Sequence, residues 1–213
     1  MATYDLDEQE RLDELKAWWK RWGNLVMVGL AVVVAAAAGW RYWQNHVVTQ
    51  SLEAATVYEQ LTRSLAANDA KTARDAGAML IDQYKDTAYA PRAALLLAKL
   101  NVGAKDLKSA QAQLEWAVAN SKEPAVKDLA RLRLAGVQLD QKQYDAALKT
   151  LSATHSDAFS FRFHDLKGDV LLAQGKPAEA RAAYQAAFGR MAEDNAYRNI
   201  VELKLDALGG EAK

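Results

Sequence analysis

Catalysis needs nucleophiles, acids, bases or metal ligands that converge, and few candidates stand in this chain. Its histidines are His46, His155 and His164, and it has no cysteine. His155 and His164 are nine residues apart with a loop expected between them, a poor spacing for a metal site. His46 flanks a long apolar run and reads as an interfacial polar residue. Without cysteine there is no disulfide, zinc–thiolate site or thiol nucleophile. The carboxylates are spread as on solvated helix faces. No phosphate loop, nucleophile elbow or dinucleotide glycine pattern occurs. The chain is therefore expected to be no enzyme and to use no cofactor. Its 27 basic side chains balance 27 acidic ones, so a basic stripe for phosphates is missing and nucleic acid is not an expected partner.

What remains is the chemistry of recognition. Arg92, Leu95, Lys99 and Val102, then Leu129, Leu132 and Leu139, then Arg162, Asp165, Asp169 and Leu172 recur at helical spacing. They outline a groove that is apolar in the middle and charged at its ends, suited to an extended or helical protein segment. The competing reading makes the same leucines core residues. A basic and asparagine clamp for a peptide's terminal carboxylate is not expected. The positions that would carry its asparagine are Lys99, Gly136 and Asp169.

Such a groove has to be built by repeated helices, and the sequence repeats. Leu107-x-x-Ala110-x-x-x-Leu114-x-x-Ala117 recurs as Tyr144-x-x-Ala147-x-x-x-Leu151 and as Pro177-x-x-Ala180-x-x-x-Tyr184-x-x-Ala187. Twelve residues before each central alanine stands a small residue: Ala98, Ala135 or Gly168. Paired helices that touch at small side chains, spaced 37 and 33 residues apart, have the tetratricopeptide pattern. A degenerate copy is expected ahead of them, with helices near residues 52–65 and 71–84 phased by Ala73. A last helix carrying Tyr197, Val201, Lys204 and Leu205 is expected to cover the end of the stack. Pro91, Pro124 and Pro177 stand where helices can begin. The fold class is all-α, a tetratricopeptide-like solenoid behind one N-terminal transmembrane helix.

That helix is read from Trp22 to Trp40, which holds no charged residue. It spans roughly 28 Å at about 1.5 Å per residue, close to the bilayer hydrocarbon thickness. Trp18, Trp19 and Trp22 stand at one end and Trp40, Tyr42 and Trp43 at the other, as aromatic belts do. A cleaved signal sequence is the rival, with Ala36-Ala37-Ala38 as its cleavage site. The long acidic segment before the apolar run argues against it. Ala31, Ala35 and Gly39 form a small-residue stripe along which a second membrane helix can approach. The alternative is an alanine-rich span facing lipid.

Three regions follow: a cytoplasmic amphipathic segment over 1–21, the membrane helix over 22–43 and the repeat domain over 44–213. Arg11, Lys16, Lys20 and Arg21 precede the apolar run, and Arg41 is the only basic residue in the next twenty. That asymmetry puts the N-terminus in the cytoplasm and the repeats outside. The first segment either lies along the bilayer surface or is a charged tail.

Gly39-Trp40-Arg41-Tyr42-Trp43, Leu132-Arg133-Leu134-Ala135, Ala146-Ala147-Leu148-Lys149-Thr150-Leu151 and Asp165-Leu166-Lys167-Gly168-Asp169-x-Leu171-Leu172 closely resemble the YfgM family, ancillary subunits of the bacterial SecYEG translocon. The N-terminal segment matches least. The resemblance implies a single-pass inner-membrane protein with a periplasmic repeat domain. It implies association with SecYEG and with a membrane-anchored periplasmic peptidyl-prolyl isomerase. It also implies transfer of emerging, unfolded secreted polypeptides to periplasmic chaperones, and a cytoplasmic role in restraining an envelope-stress regulator. It brings no catalytic residue. Two functions stay open: an adaptor at the translocon, or a structural tether or regulatory scaffold for another envelope complex.

Overall fold

Four alanines set the repeat. Ala73, Ala110, Ala147 and Ala180 are each 0% exposed, and each sits near the start of the second helix of a pair. The computed structural model describes residues 3–209, with side chains from Glu10 onward and that of Glu8. Among the described residues it contains helices and no strand. The order is α1 (Thr3–Ala66), α2 (Ala70–Gln83), α3 (Tyr89–Gly103), α4 (Leu107–Asn120), α5 (Pro124–Asp140), α6 (Tyr144–Leu151), α7 (Asp157–Ala173), α8 (Pro177–Phe188) and α9 (Arg198–Ala207). The chain divides into two units, Met1–Thr49 and Gln50–Lys213.

The described part of the first unit is helical. Glu10–Ala66 of α1 contains a window of mean hydropathy 1.9, long and apolar enough to cross a membrane. Leu25 to Val34 leave their apolar side chains exposed all round the helix. A helix apolar on every face needs protein or lipid around it. The tryptophans at its two ends pair among themselves, Trp18 with Trp19 at 6.3 Å and Trp40 with Trp43 at 5.5 Å between ring centroids.

In the second unit each repeat turns the same way. Asn68, Lys105, Lys142 and Gly175 adopt positive φ, from 58° to 78°. The next amide donates back to a carbonyl one helical turn and a half earlier: Asp69 to Ser64, Asp106 to Asn101, Gln143 to Gln138 and Lys176 to Leu171, at 2.8–3.0 Å. This six-to-one bond is the Schellman closure, and it satisfies carbonyls the helix end leaves free. In the first two turns an aspartate then caps the following helix. Asp69 accepts from the Thr72 amide and Asp106 from the Ser109 amide. Pro124 and Pro177 begin α5 and α8, where a missing N–H costs nothing.

The helices of a pair approach closely because one partner is small. A Cβ on Gly168 would lie 2.4 Å from Tyr184 Cε1, so α7 and α8 meet at bare backbone against a ring. In the first repeat the volumes are exchanged. Leu61 stands where the later repeats have Ala98, Ala135 and Gly168, and Gly77 where they have Leu114, Leu151 and Tyr184. Leu61 is fully buried, and Leu97 of the next repeat packs over Gly77. Total volume is kept while its distribution is reversed, which a helical core tolerates.

Gly168→Ala is expected to destabilise the repeat unit by about 1–2 kcal/mol, since overpacking against Tyr184 outweighs the gain in helix propensity. Gly136→Ala, whose Cβ meets nothing within 4 Å, should instead stabilise by about 0.5–1 kcal/mol. Urea unfolding of the full chain in detergent, followed by circular dichroism, measures both.

Candidate functional site: an open groove between repeats

The first helices of successive repeats touch in turn, α3 with α5 and α5 with α7. Between α3 and α5 lies a recess of about 420 Å³, lined by Ala98, Lys99, Val102, Arg133, Gly136, Val137 and Asp140, with Leu114 at its floor. Beside it, framed by the end of α1, by α2 and by α3, is a second of about 710 Å³. Its apolar wall is Leu65, Leu96 and Leu100, and Arg74 and Lys99 supply charge. Lys99 belongs to both recesses. Gly136 opens the first one, because a glycine there leaves the space above α5 unfilled.

The electrostatics of the groove are cationic. Neither Lys99 nor Arg133 makes an ion pair among the described residues. Arg133 Nη1 donates only to the Leu95 carbonyl, at 3.3 Å. Burial pushes its pKa down and no carboxylate counters that shift; the guanidinium stays charged. Arg74 faces the carboxylate of Asp106, whose pKa is held low chiefly by its hydrogen bonds from Ser109 and slightly by that arginine.

The positions expected to line the groove scatter. Lys99, Val102 and Gly136 do line it. Leu95 is 5% exposed and belongs to the core with Ala94, Ala98 and Leu134. Leu129 packs on the same core, and Leu132 and Leu139 pack on the next one, formed by α5, α6 and α7. Leu95 is core, and Leu132 and Leu139 are half-buried against the next core, which turns the expected row partly away from the recess. Their row is turned toward neighbouring helices, and the row of α5 that opens on the recess is Arg133, Gly136 and Asp140, with the buried Val137 beneath it. Arg92 pairs with Glu123 at 2.6 Å and Arg162 lies over the Phe161 ring. Arg133, Val137 and Asp140 share one helix face at i, i+3, i+4 and i+7 with Gly136, and that spacing was the available signal for them. Ala31, Ala35 and Gly39 are exposed on α1.

The acidic end is closed by the chain itself, a second correction. Lys204 of α9 donates to Asp165 Oδ1 at 2.8 Å and to Asp169 Oδ1 at 2.7 Å. Tyr197 donates to Asp165 Oδ2 at 2.9 Å and Tyr184 to Asp169 Oδ1 at 2.8 Å. Asp165 is only 5% exposed, so these carboxylates hold α9 rather than face a partner. Burial alone would push the Lys204 pKa down, but the hydrogen bonds and charges of Asp165 and Asp169 outweigh it and hold the pKa above its ordinary value. Burial and the neighbouring aspartates raise both tyrosines as well.

His155 serves packing. His155 stacks on Phe163 with 4.1 Å between ring centroids, and its Nδ1 lies 2.9 Å from the Ala153 carbonyl. Burial, helped by nearby cations, pushes the His164 pKa down. Among the described residues no cluster of three His, Cys, Asp or Glu could hold a metal ion.

A membrane anchor ahead of a groove-bearing stack of helix pairs defines a tetratricopeptide-like membrane protein. A family model described as tetratricopeptide repeat-like domain matches residues 16–210. Relatives named "Ancillary SecYEG translocon subunit" cover most of the chain. The one from Neisseria gonorrhoeae is 32% identical over 98% of this chain and 100% of its own. Those from Haemophilus influenzae and Escherichia coli are 31% and 32% identical over 87% of this chain, and over 90% and 89% of theirs. The chain belongs to the family of ancillary SecYEG translocon subunits. No solved structure matches it.

Lys204→Met leaves two carboxylates facing each other without a cation and is expected to cost about 2–3 kcal/mol. The pH dependence has a definite sign. Lys204, Tyr184 and Tyr197 hold their protons more tightly folded than unfolded. Their stabilisation is complete below the ordinary values of 10.0 and 10.5 and is lost as pH rises through the folded-state values. Unfolding midpoints should therefore fall above about pH 10 in the parent and fall less steeply in Lys204→Met.

Proposed function

We propose that this chain is a non-enzymatic, membrane-anchored adaptor at the SecYEG translocon. Its N-terminus is cytoplasmic and its repeat unit periplasmic, and the groove holds partner proteins or emerging polypeptides and helps pass them to periplasmic chaperones. A membrane-anchored peptidyl-prolyl isomerase is among its expected partners. The observation that carries the reading is the open, largely apolar groove at Lys99, Val102 and Gly136. A concave, largely apolar lining with charges at its rim is suited to a protein segment. The names of the relatives support the translocon as the place where it works. Basic residues crowd before the apolar run and not after it, which supports the orientation.

A photo-crosslinking residue at Val102 of the full chain, in membranes at native expression, should give adducts with translocon components, the isomerase or translocating chains. Adducts with none of these would overturn the adaptor. Orientation is read with single cysteines, since the chain has none of its own. Lys108→Cys should react with an impermeant maleimide once the outer membrane is opened, and Glu10→Cys should not; the reverse pattern refutes the topology.

The Ala31, Ala35 and Gly39 stripe is proposed as the contact for a second membrane helix. Ala35→Leu should reduce recovery of the translocon several-fold, because helices held apart lose van der Waals contact. Val33→Leu should change it little. Equal losses at both positions would remove the stripe from the account.

A further inference from the structure

We propose that the groove takes an acidic apolar segment, in which two apolar side chains flank a carboxylate. This rests on the adaptor reading and specifies the partner's chemistry. The two recesses lie side by side with Lys99 on the rim of both. Each is walled by aliphatic side chains, Val102, Leu114 and Val137 in one and Leu65, Leu96 and Leu100 in the other. A segment crossing from one to the other places an apolar residue in each and carries what lies between them past Lys99.

Charge selects what lies between. Lys99 and Arg133 have no ionic partner among the described residues. Arg133 is held against the recess by a single bond to the Leu95 carbonyl. Its guanidinium is partly desolvated with no counter-charge, and a carboxylate supplied by a partner meets that need through a charge-assisted pair. On the next inner helix, α7, Asp165 and Asp169 are engaged by Lys204. Asp140, which lines the same recess and is ion-paired with neither cation among the described residues, repels an acid placed beside it and so favours a register with the partner's carboxylate at Lys99 and Arg133. A basic segment meets two unpaired cations on the same path.

The test uses the full chain in phosphatidylcholine nanodiscs. Fluorescent peptides share two leucine anchors and carry Asp, Asn or Lys between them, and binding is read by anisotropy. The Asp peptide should bind about tenfold more tightly than the Asn peptide, and the Lys peptide more weakly still. The advantage should shrink as salt is raised. Arg133→Gln should abolish the preference for Asp while leaving the Asn peptide's affinity unchanged. Gly136→Leu, which fills the recess without a clash at its Cβ, should remove binding of all three at an unfolding midpoint no lower than the parent's. Equal affinities, a preference for Lys, no binding at all, or an Asp preference that survives Arg133→Gln each overturn the proposal.

Recovery of SecYEG with the parent chain from crosslinked membranes is measured alongside. If SecYEG is recovered and the Asp preference is missing, the acidic partner is wrong and the adaptor stands. If the preference is present and SecYEG is not recovered, the groove chemistry stands and the translocon assignment falls.

Discussion

The repeat unit depends on helices coming close enough to touch at small side chains. Ala73, Ala110, Ala147 and Ala180 are wholly buried, and a larger residue at any of them would hold its pair apart. Interiors packed near crystal density transmit such a displacement to the next layer. The constraint applies to the volume shared by two facing positions rather than to either one. Gly168 faces Tyr184 in the last repeat, and in the first, where Leu61 and Gly77 reverse the sizes, Leu97 of the next repeat fills the space over Gly77. Because each pair packs mainly on its neighbours, the tilt set at these contacts fixes the spacing of α3, α5 and α7 and hence the width of the groove.

Closing the stack at its C-terminal end has a consequence for recognition. A solenoid leaves the last inner helix uncovered, and α9 covers it with Val201 and Leu205 buried against α8. Lys204 then reaches the two aspartates on α7, Tyr197 donates to the other oxygen of Asp165, and Tyr184 shares Asp169 Oδ1 with the ammonium. A half-buried ion pair gives little net stability but has strong geometric demands, so this cluster fixes where α9 sits. It also removes negative charge from the inner surface. The open part lies between α3 and α5, and there Lys99 and Arg133 are left unpaired.

The anchor follows a different solvent. Leu25, Val28, Leu30, Val32 and Val33 are as exposed as surface lysines usually are, and no protein face in its own unit covers them. In water that much apolar surface would drive aggregation. In hydrocarbon it costs nothing, and the indole rings at Trp18, Trp19, Trp40 and Trp43 suit the two interfaces.

The sequence by itself determined the anchor, the helical class, the three later repeats and the closing helix. Each of these rests on local spacing, in hydropathy or in small residues, which no distant contact can reverse. The first repeat was legible only through Ala73, because Leu61 and Gly77 exchange volumes and break the small-residue rule while obeying its physical cause. The groove was legible only in part. Lys99 and Val102 line the recess between α3 and α5, whereas Leu95 is core, Leu132 and Leu139 are half-buried against the next core, and Asp165 and Asp169 are bound by Lys204. Successive residues on a helix differ by about 100°, so reading Leu132 in place of Arg133 turns the whole row away from the opening. Which of two adjacent rows faces solvent is decided by the crossing of α5 over α3 and α7, a property of the assembled stack. That crossing also decides that Lys204 meets aspartates more than thirty residues away in the chain.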